Sequence, residues 1–236
     1  MASRRGLLDE LDEAIAGGDG GDAVRAELSG AEYDALTLKA VRAFARRRTK
    51  RLNERAGEDA PGVAAGTTPL QHLILSLNGA DELLPCVEAF LQHGARPEVC
   101  DANGRNALVV HVAECVPSPA LVARLLAAAP DLARGRDRQG AGALHALARN
   151  AAAVPHGGGE EDADVAAAAA LTPDGLAPAA AVAAAARLLA AAGAPGWNER
   201  DRFGDTPRAL AEANPNRAVR AALLVVAAED EDFEVL

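Results

Sequence analysis

A short glycine-led block that returns along the chain constrains its fold more than any other feature. Gly104-Arg105-Asn106-Ala107-Leu108, Gly140-Ala141-Gly142-Ala143-Leu144-His145 and Gly204-Asp205-Thr206-Pro207 each follow an aspartate, Asp101, Asp137 or Asp201, placed three residues before the glycine. A further copy, Gly66-Thr67-Thr68-Pro69-Leu70, lacks that aspartate but carries the fullest Thr-Pro-Leu. The steps from Gly66 to Gly104 and from Gly104 to Gly140 are each slightly longer than a repeat of roughly 33 residues, and the step to Gly204 is close to twice that. Self-similarity on this scale predicts stacked helical units, which bury a shared core between neighbours and present surface to a partner.

The unit reads the same way in each copy. Pro69 and Pro207 open a first helix at an early position, where a missing N–H does little harm. A second helix carries the apolar pairs Phe90-Leu91, Leu125-Leu126 and Leu188-Leu189, and Gly94-Ala95 or Gly193-Ala194 turns the chain out toward the next block. In the overlong interval, Val154-Pro155-His156-Gly157-Gly158-Gly159 breaks any helix and Ala166 to Ala170 is low-complexity, so residues 154–177 are expected to form a surface insertion.

Arg187-Leu188-Leu189-Ala190-Ala191-Ala192-Gly193-Ala194, followed by Asn198-Glu199-Arg200-Asp201-Arg202-Phe203-Gly204-Asp205-Thr206-Pro207, resembles the helix, finger loop and next-repeat start of the ankyrin-repeat family. The resemblance covers roughly residues 60 to 228. It implies an all-α solenoid of helix-turn-helix repeats with protruding finger loops. Asn106-Ala107 and Gly142-Ala143 depart from the family's Thr-Pro, and Val109 stands where the family has His. Thr and His tie the turn to backbone in that pattern, so the middle repeats are expected to be less rigid. Arg208, at an apolar Leu place, suits a terminal repeat with one face in water.

Residues 1–57 read as an N-terminal helical cap: Leu7 to Ile15 and Ala23 to Leu28 as two helices around a glycine break, then a longer helix from about Ala31 to Arg55. Residues 58–228 hold the repeats. Residues 229–236, Glu229-Asp230-Glu231-Asp232-Phe233-Glu234-Val235-Leu236, read as a disordered acidic tail able to screen basic loops.

Composition agrees with thin helical layers. Half of the 236 residues are apolar, yet alanine supplies most of them, with one Trp, one Tyr and four Phe. Such a core needs backbones that approach closely through small side chains. The net charge of −10 disfavours general adhesion to nucleic acid or anionic membrane. No apolar run reaches a membrane span, and Met1-Ala2-Ser3-Arg4-Arg5 leads into acidic residues, so a cytoplasmic or nuclear monomer is expected. Cys86, Cys100 and Cys115 are too few and too scattered for a disulfide framework and read as reduced, mostly buried thiols.

Candidate contacts lie first in the fingers. Arg134, Arg136 and Arg138 would lie beside Arg200 and Arg202 if consecutive repeats stack, forming a basic ridge whose guanidinium forks suit an acidic or phosphorylated partner. The alternative is a solvated tip neutralised by Asp131, Asp137, Glu199 and Asp201. Trp197 and Phe203 flank the second finger as interface anchors or as caps over the next repeat. A second candidate is the basic run Arg46, Arg47, Arg48, Lys50 and Arg51, extended by Arg42 and Arg55, an import signal, a polyanion contact or a solvated helix end.

No catalytic, nucleotide-binding or metal motif occurs. There is no GxSxG, GxGxxG after a strand, GxxxxGK[ST] or CxxC, and Cys86, His93, Cys100, His111 and Cys115 do not share one ligand geometry. The expectation is a non-enzymatic protein-binding module without cofactor, acting through fingers and the concave helix face. Alternatives are an adaptor that recruits a second protein through the N-terminal helices, and a nuclear, nucleic-acid-associated factor using the basic helix.

Overall fold

The computed structural model describes residues 6–16, 30–57, 65–150 and 176–234. The insertion read at 154–177, except residues 176 and 177, and the helix expected at 23–28 lie outside the described residues. Among the described residues the chain is all-helical, with ten α-helices, two short 3-10 turns and no strand. It divides into two compact units, Met1–Ala102 and Asn103–Leu236. The first division expected from sequence, at residue 57, therefore falls inside a unit: the first glycine-led block packs with the N-terminal helices.

The first unit contains α1 (Leu7–Ile15), α2 (Gly30–Arg47), α3 (Pro69–Ser76) and α4 (Leu83–Gln92). Helix α1 packs on α2 and α3, while α4 packs on α2 and α3, so two helix pairs lie side by side. Leu11, Phe44, Leu73 and Phe90 are fully buried between them. The Phe44 and Phe90 rings stack with centroids 6.0 Å apart. Polar ties bind the pairs at their edges: Thr37 donates its hydroxyl to the Ile15 carbonyl at 3.3 Å, and His72 Nε2 lies 2.6 Å from Asp12 Oδ1.

Helix α2 ends eight residues earlier than its polar continuation suggests, at Arg47 instead of Arg55. The Thr49 hydroxyl donates to the carbonyls of Ala45 and Arg46, so it competes for the acceptors of the last turn. The chain then tightens into the 3-10 turn Thr49–Arg51 and buries Leu52. Beyond it Asn53 holds the following loop on both sides, donating to the Gly94 carbonyl at 3.0 Å and accepting from Arg96 N–H at 2.7 Å.

The second unit contains α5 (Ala107–Glu114), α6 (Pro119–Ala128), α7 (Ala143–Arg149), α8 (Pro178–Ala191), α9 (Pro207–Glu212) and α10 (Arg217–Glu234). Helices α5, α7 and α9 form one row of neighbours and α6, α8 and α10 a second. Leu108, Leu125, Leu144, Leu189 and Leu223 fill the space between the rows. Each is worth roughly 1.5–3 kcal/mol of burial. The buried face of α8 is largely alanine, with Ala181, Ala185 and Ala186 fully covered, which permits the close helix approach expected from the composition.

The ends of the helices follow directly from local chemistry. Thr68, Ser118 and Thr206 precede Pro69, Pro119 and Pro207, and each side-chain oxygen accepts from a first-turn amide, of Gln71, Leu121 or Ala209. Of the middle blocks, that of Asn106 keeps this cap and that of Gly142 lacks it. Asn106 accepts from Val109 N–H at 2.9 Å and donates to the Leu132 carbonyl at 3.1 Å. Gly142 has no side chain, and His145 Nδ1 accepts its N–H at 3.2 Å instead.

The acidic ending is also different from expectation. Glu229 to Glu234 continue α10 as helix. Glu229 forms a two-point pair with Arg187 of α8, both contacts at 2.9 Å, so this carboxylate holds a helix neighbour and does not screen the basic loops.

Candidate functional site

Two of the loops between helix pairs are organised by their aspartates. Asp137 Oδ1 accepts the N–H groups of Gln139 and Ala141 at 2.8 and 2.9 Å, and Asp201 Oδ1 accepts those of Phe203 and Asp205 at 2.9 and 3.0 Å. The backbone closes the same turn, with Asp137 N–H donating to Ala141 and Asp201 N–H to Asp205. The block without an aspartate uses Ala56: its N–H donates to Thr67 and its carbonyl accepts from Gly66, the two bonds made by Asp137 and Asp201 in their own turns. The missing residue is thus replaced from further back in the chain, with no side chain to brace the turn.

Successive loops stack at a constant offset. The residue before a block glycine offers its carbonyl to the amide of the residue two places before the next block glycine: Ala65 to Ala102, Asn103 to Arg138, and Gln139 to Arg202, at 3.1, 2.9 and 2.9 Å. The glycines permit this for two reasons. Gly66, Gly104, Gly140 and Gly204 have φ of 74, 81, 78 and 87°, which disfavours other residues. A Cβ on Gly66 would also lie 2.6 Å from the Ala102 nitrogen, and one on Gly104 would lie 3.1 Å from the Arg138 nitrogen.

This register divides four of the five finger arginines into two kinds. Arg136 donates to the Gly140 carbonyl at 2.9 Å and pairs with Glu199, while Arg200 donates to the Gly204 carbonyl at 3.0 Å. Both brace the loops that carry them. Arg138 and Arg202, at the stacking position, lie in adjoining loops, are exposed, and make no side-chain hydrogen bond or ion pair among the described residues. Arg134 is exposed on the turn Pro130–Arg134, 3.5 Å from Asp131, with its guanidinium beside Gly193.

The carboxylates expected to neutralise the ridge do so only in part, and none of them pairs with Arg138 or Arg202 among the described residues. Asp131 faces Arg134, Glu199 faces Arg136, and Asp137 serves its own turn. The Asp201 side chain is fully buried against Arg149, 2.5 Å away. Burial acts to raise its pKa, but Arg149 and the amides of Phe203 and Asp205 outweigh that and hold it below the ordinary 3.8.

Of the two aromatic candidates, Phe203 stands out at the loop tip with 69% of its surface exposed. Trp197 is a correction: only 2% is exposed, so it is a core residue and offers no anchor to a partner. Its indole Nε1 has no hydrogen-bond partner among the described residues. A tryptophan between Gly196 and Asn198 gives no sequence sign of this depth, since its loop neighbours are polar or small.

The basic run is divided as well. Arg48 is tied to Glu10 of α1 by two bonds of 2.8 Å, and Arg51 to Glu54 at 2.8 Å. Arg46, Arg47 and Lys50 are exposed, the first two on the last turn of α2. The charge available to a ligand is therefore smaller than the string of cations suggests. Among the thiols, burial pushes Cys86 and Cys115 up to about 12, which keeps them protonated and unreactive. Cys100 is half-buried and donates to the Glu98 carbonyl at 3.4 Å.

Polar links that the sequence reading missed join the helix pairs behind the loops. Asn150 donates through Nδ2 to the carbonyls of Val112 and Cys115 at 2.8 and 2.7 Å, and Asn214 donates to that of Ala148 at 2.9 Å. Their signal was available: each asparagine stands at the same distance after its own block glycine, Gly140 or Gly204.

No protein-family model matches the chain, and no curated protein matches its sequence. No described helix is long and apolar enough to cross a membrane.

Proposed function

We propose that this chain is an ankyrin-like repeat protein that recognises an acidic or phosphorylated protein partner, without chemistry of its own. The observation that carries this reading is the pair Arg138 and Arg202. Stacked loops set two unpartnered guanidinium groups in adjoining positions, with the exposed Phe203 next to the second. Planar guanidinium forks favour carboxylate and phosphate oxygens, and an exposed aromatic adds the apolar contact typical of an interface centre. The repeat reading is supported by the constant loop offset and the two helix rows in the second unit.

Charge reversal separates this function from its alternatives. Arg138→Glu with Arg202→Glu should abolish capture of the partner while leaving the helical melt unchanged, because neither side chain makes a polar contact among the described residues. Phosphatase treatment of the partner would distinguish phosphate from carboxylate recognition. Partner binding that survives the double reversal but fails after reversal of Arg46 and Arg47 would move the contact to the N-terminal helices.

A further inference from the structure

We propose that a cleft between α2 and α4 in the first unit binds a compact soluble anion carrying two or more phosphate groups. The cleft encloses about 540 Å³ and is lined by Lys39, Arg42, Arg46 and Arg47 from α2, with Gln92 and His93 from the end of α4. Ala43 and Ala89 form its floor, and their short side chains leave the space open. Beneath them the stacked rings of Phe44 and Phe90 pin the two helices, so the walls are held apart without the ligand.

The four cations arrive on one side through helical spacing. Lys39, Arg42 and Arg46 recur at three- and four-residue intervals, which places them along one face of α2. Reading the run from Arg46 to Arg51, extended by Arg42 and Arg55, mixed this face with the rest of the helix end and left out Lys39.

Local neutralisation is absent from this cleft, although the same helix end is neutralised elsewhere. Arg48 turns to Glu10 and Arg51 to Glu54, whereas Lys39, Arg42, Arg46 and Arg47 make no side-chain ion pair or hydrogen bond among the described residues. Among the described residues no carboxylate lines the cleft. Four like charges side by side along one wall of the cleft repel, in a chain whose acidic residues outnumber its basic ones 34 to 24. An anion seated among them removes that repulsion and receives bidentate bonds from the arginines.

Size decides the kind of anion. Lys39 to Arg46 spans two helical turns, about 10 Å along the axis. That length suits an oligophosphate or a small molecule bearing several phosphates. A nucleic-acid strand needs a longer basic track, and the overall charge of −10 opposes it beyond the cleft.

Titration calorimetry of the full chain with tripolyphosphate at physiological ionic strength tests the assignment. One saturable site is expected, weakened about tenfold or more by Arg42→Gln with Arg46→Gln and severalfold by Lys39→Gln with Arg47→Gln. All four side chains are exposed, so the circular-dichroism melts should match that of the wild type. Orthophosphate should bind at least about tenfold more weakly than tripolyphosphate. Arg138→Gln with Arg202→Gln should leave tripolyphosphate affinity unchanged, which separates this site from the proposed protein contact. The assignment is overturned by no saturable binding to the wild type, by equal affinity in both cleft variants, by orthophosphate binding as tightly, or by loss of binding in the Arg138/Arg202 variant. A single-stranded oligonucleotide that binds more tightly than tripolyphosphate and depends on the same arginines would also overturn it.

Discussion

The side-chain amide of Asn214 donates to the carbonyl of Ala148 at 2.9 Å, from the turn after α9 to the last turn of α7, the first helices of consecutive pairs. Asn150 makes the corresponding bond to Val112 at 2.8 Å and adds Cys115 at 2.7 Å. Both asparagines are buried. Carbonyls at a helix end have no partner within the helix, so a neighbouring side chain must satisfy them where water is excluded. These two residues therefore set the spacing of consecutive pairs as well as filling it.

Asn150→Ala should cost about 1–3 kcal/mol, because it strands two buried carbonyls. Asn214→Ala should cost less: its second carbonyl contact, to Asn150, is long at 3.4 Å, and the Asn216 N–H that its Oδ1 accepts at 2.9 Å is only part-buried, so water can replace that bond. Urea unfolding followed by circular dichroism measures both. An Asn214 effect larger than that of Asn150 would contradict this account.

Glycine at the loop start has two separable roles. Gly66 and Gly79 share a positive φ, at 74 and 78°, but a Cβ on Gly79 meets nothing within 4 Å while one on Gly66 strikes the Ala102 backbone. Gly79→Ala should cost about 1 kcal/mol for its left-handed conformation. Gly66→Ala should cost at least about 1 kcal/mol more, the added term being steric. Equal losses in thermal melts would mean that loop stacking yields to a methyl group.

The repeating unit was readable in this sequence because its requirements are local. A left-handed turn asks for Gly104 or Gly140, and a helix start favours Thr68-Pro69 or Thr206-Pro207, whatever lies beyond. What was hidden depends on pairs distant in the chain. Ala56 takes the place of the missing aspartate only because Gly66 and Thr67 return to it. Arg136 and Arg138 look alike in sequence, yet a two-residue step turns one toward its own loop carbonyl and leaves the other facing outward. Trp197 is buried by neighbours its loop does not reveal, and the acidic run at Glu229 stays helical because the apolar face of α10 packs on α8 and Arg187 meets the first of its carboxylates.

His145 gives the stability a dependence on pH. Its Nδ1 accepts from Gly142 and its Nε2 lies 3.3 Å from the Asp205 carbonyl, to which it donates, so the fold uses the neutral ring. Burial pushes its pKa below the ordinary 6.5. Because the unfolded chain takes up the proton first, the stability due to this residue is complete above 6.5 and declines as pH falls through the lowered value. Gln71 occupies the same place in the first block, accepting from Thr68 N–H at 2.9 Å and donating to Val99 at 3.5 Å. His145→Gln should therefore fold with nearly unchanged stability at neutral pH and lose less of it on mild acidification. Parallel pH-dependent decline in the two proteins would assign the titration to another group.

Arg149 and Asp201 set the acid limit of the last loop. Asp201 is buried, and its carboxylate both receives the guanidinium and holds the turn that presents Phe203. Arg149→Met keeps the length of the side chain but withdraws the charge-assisted bond, which should cost about 1.5–3 kcal/mol at neutral pH. The sign on acidification follows from the lowered pKa: the stability linked to Asp201 is full above 3.8 and is lost as pH falls through its folded value. In the variant that folded value rises toward 3.8 or above it, so less stability remains to be lost below that pH. Denaturation midpoints collected from neutral to strongly acidic pH should accordingly converge for wild type and Arg149→Met. If the gap between them stayed constant down to the acid limit, Arg149 would be acting through packing alone, and the loop carrying Arg202 and Phe203 would owe its shape to its backbone bonds.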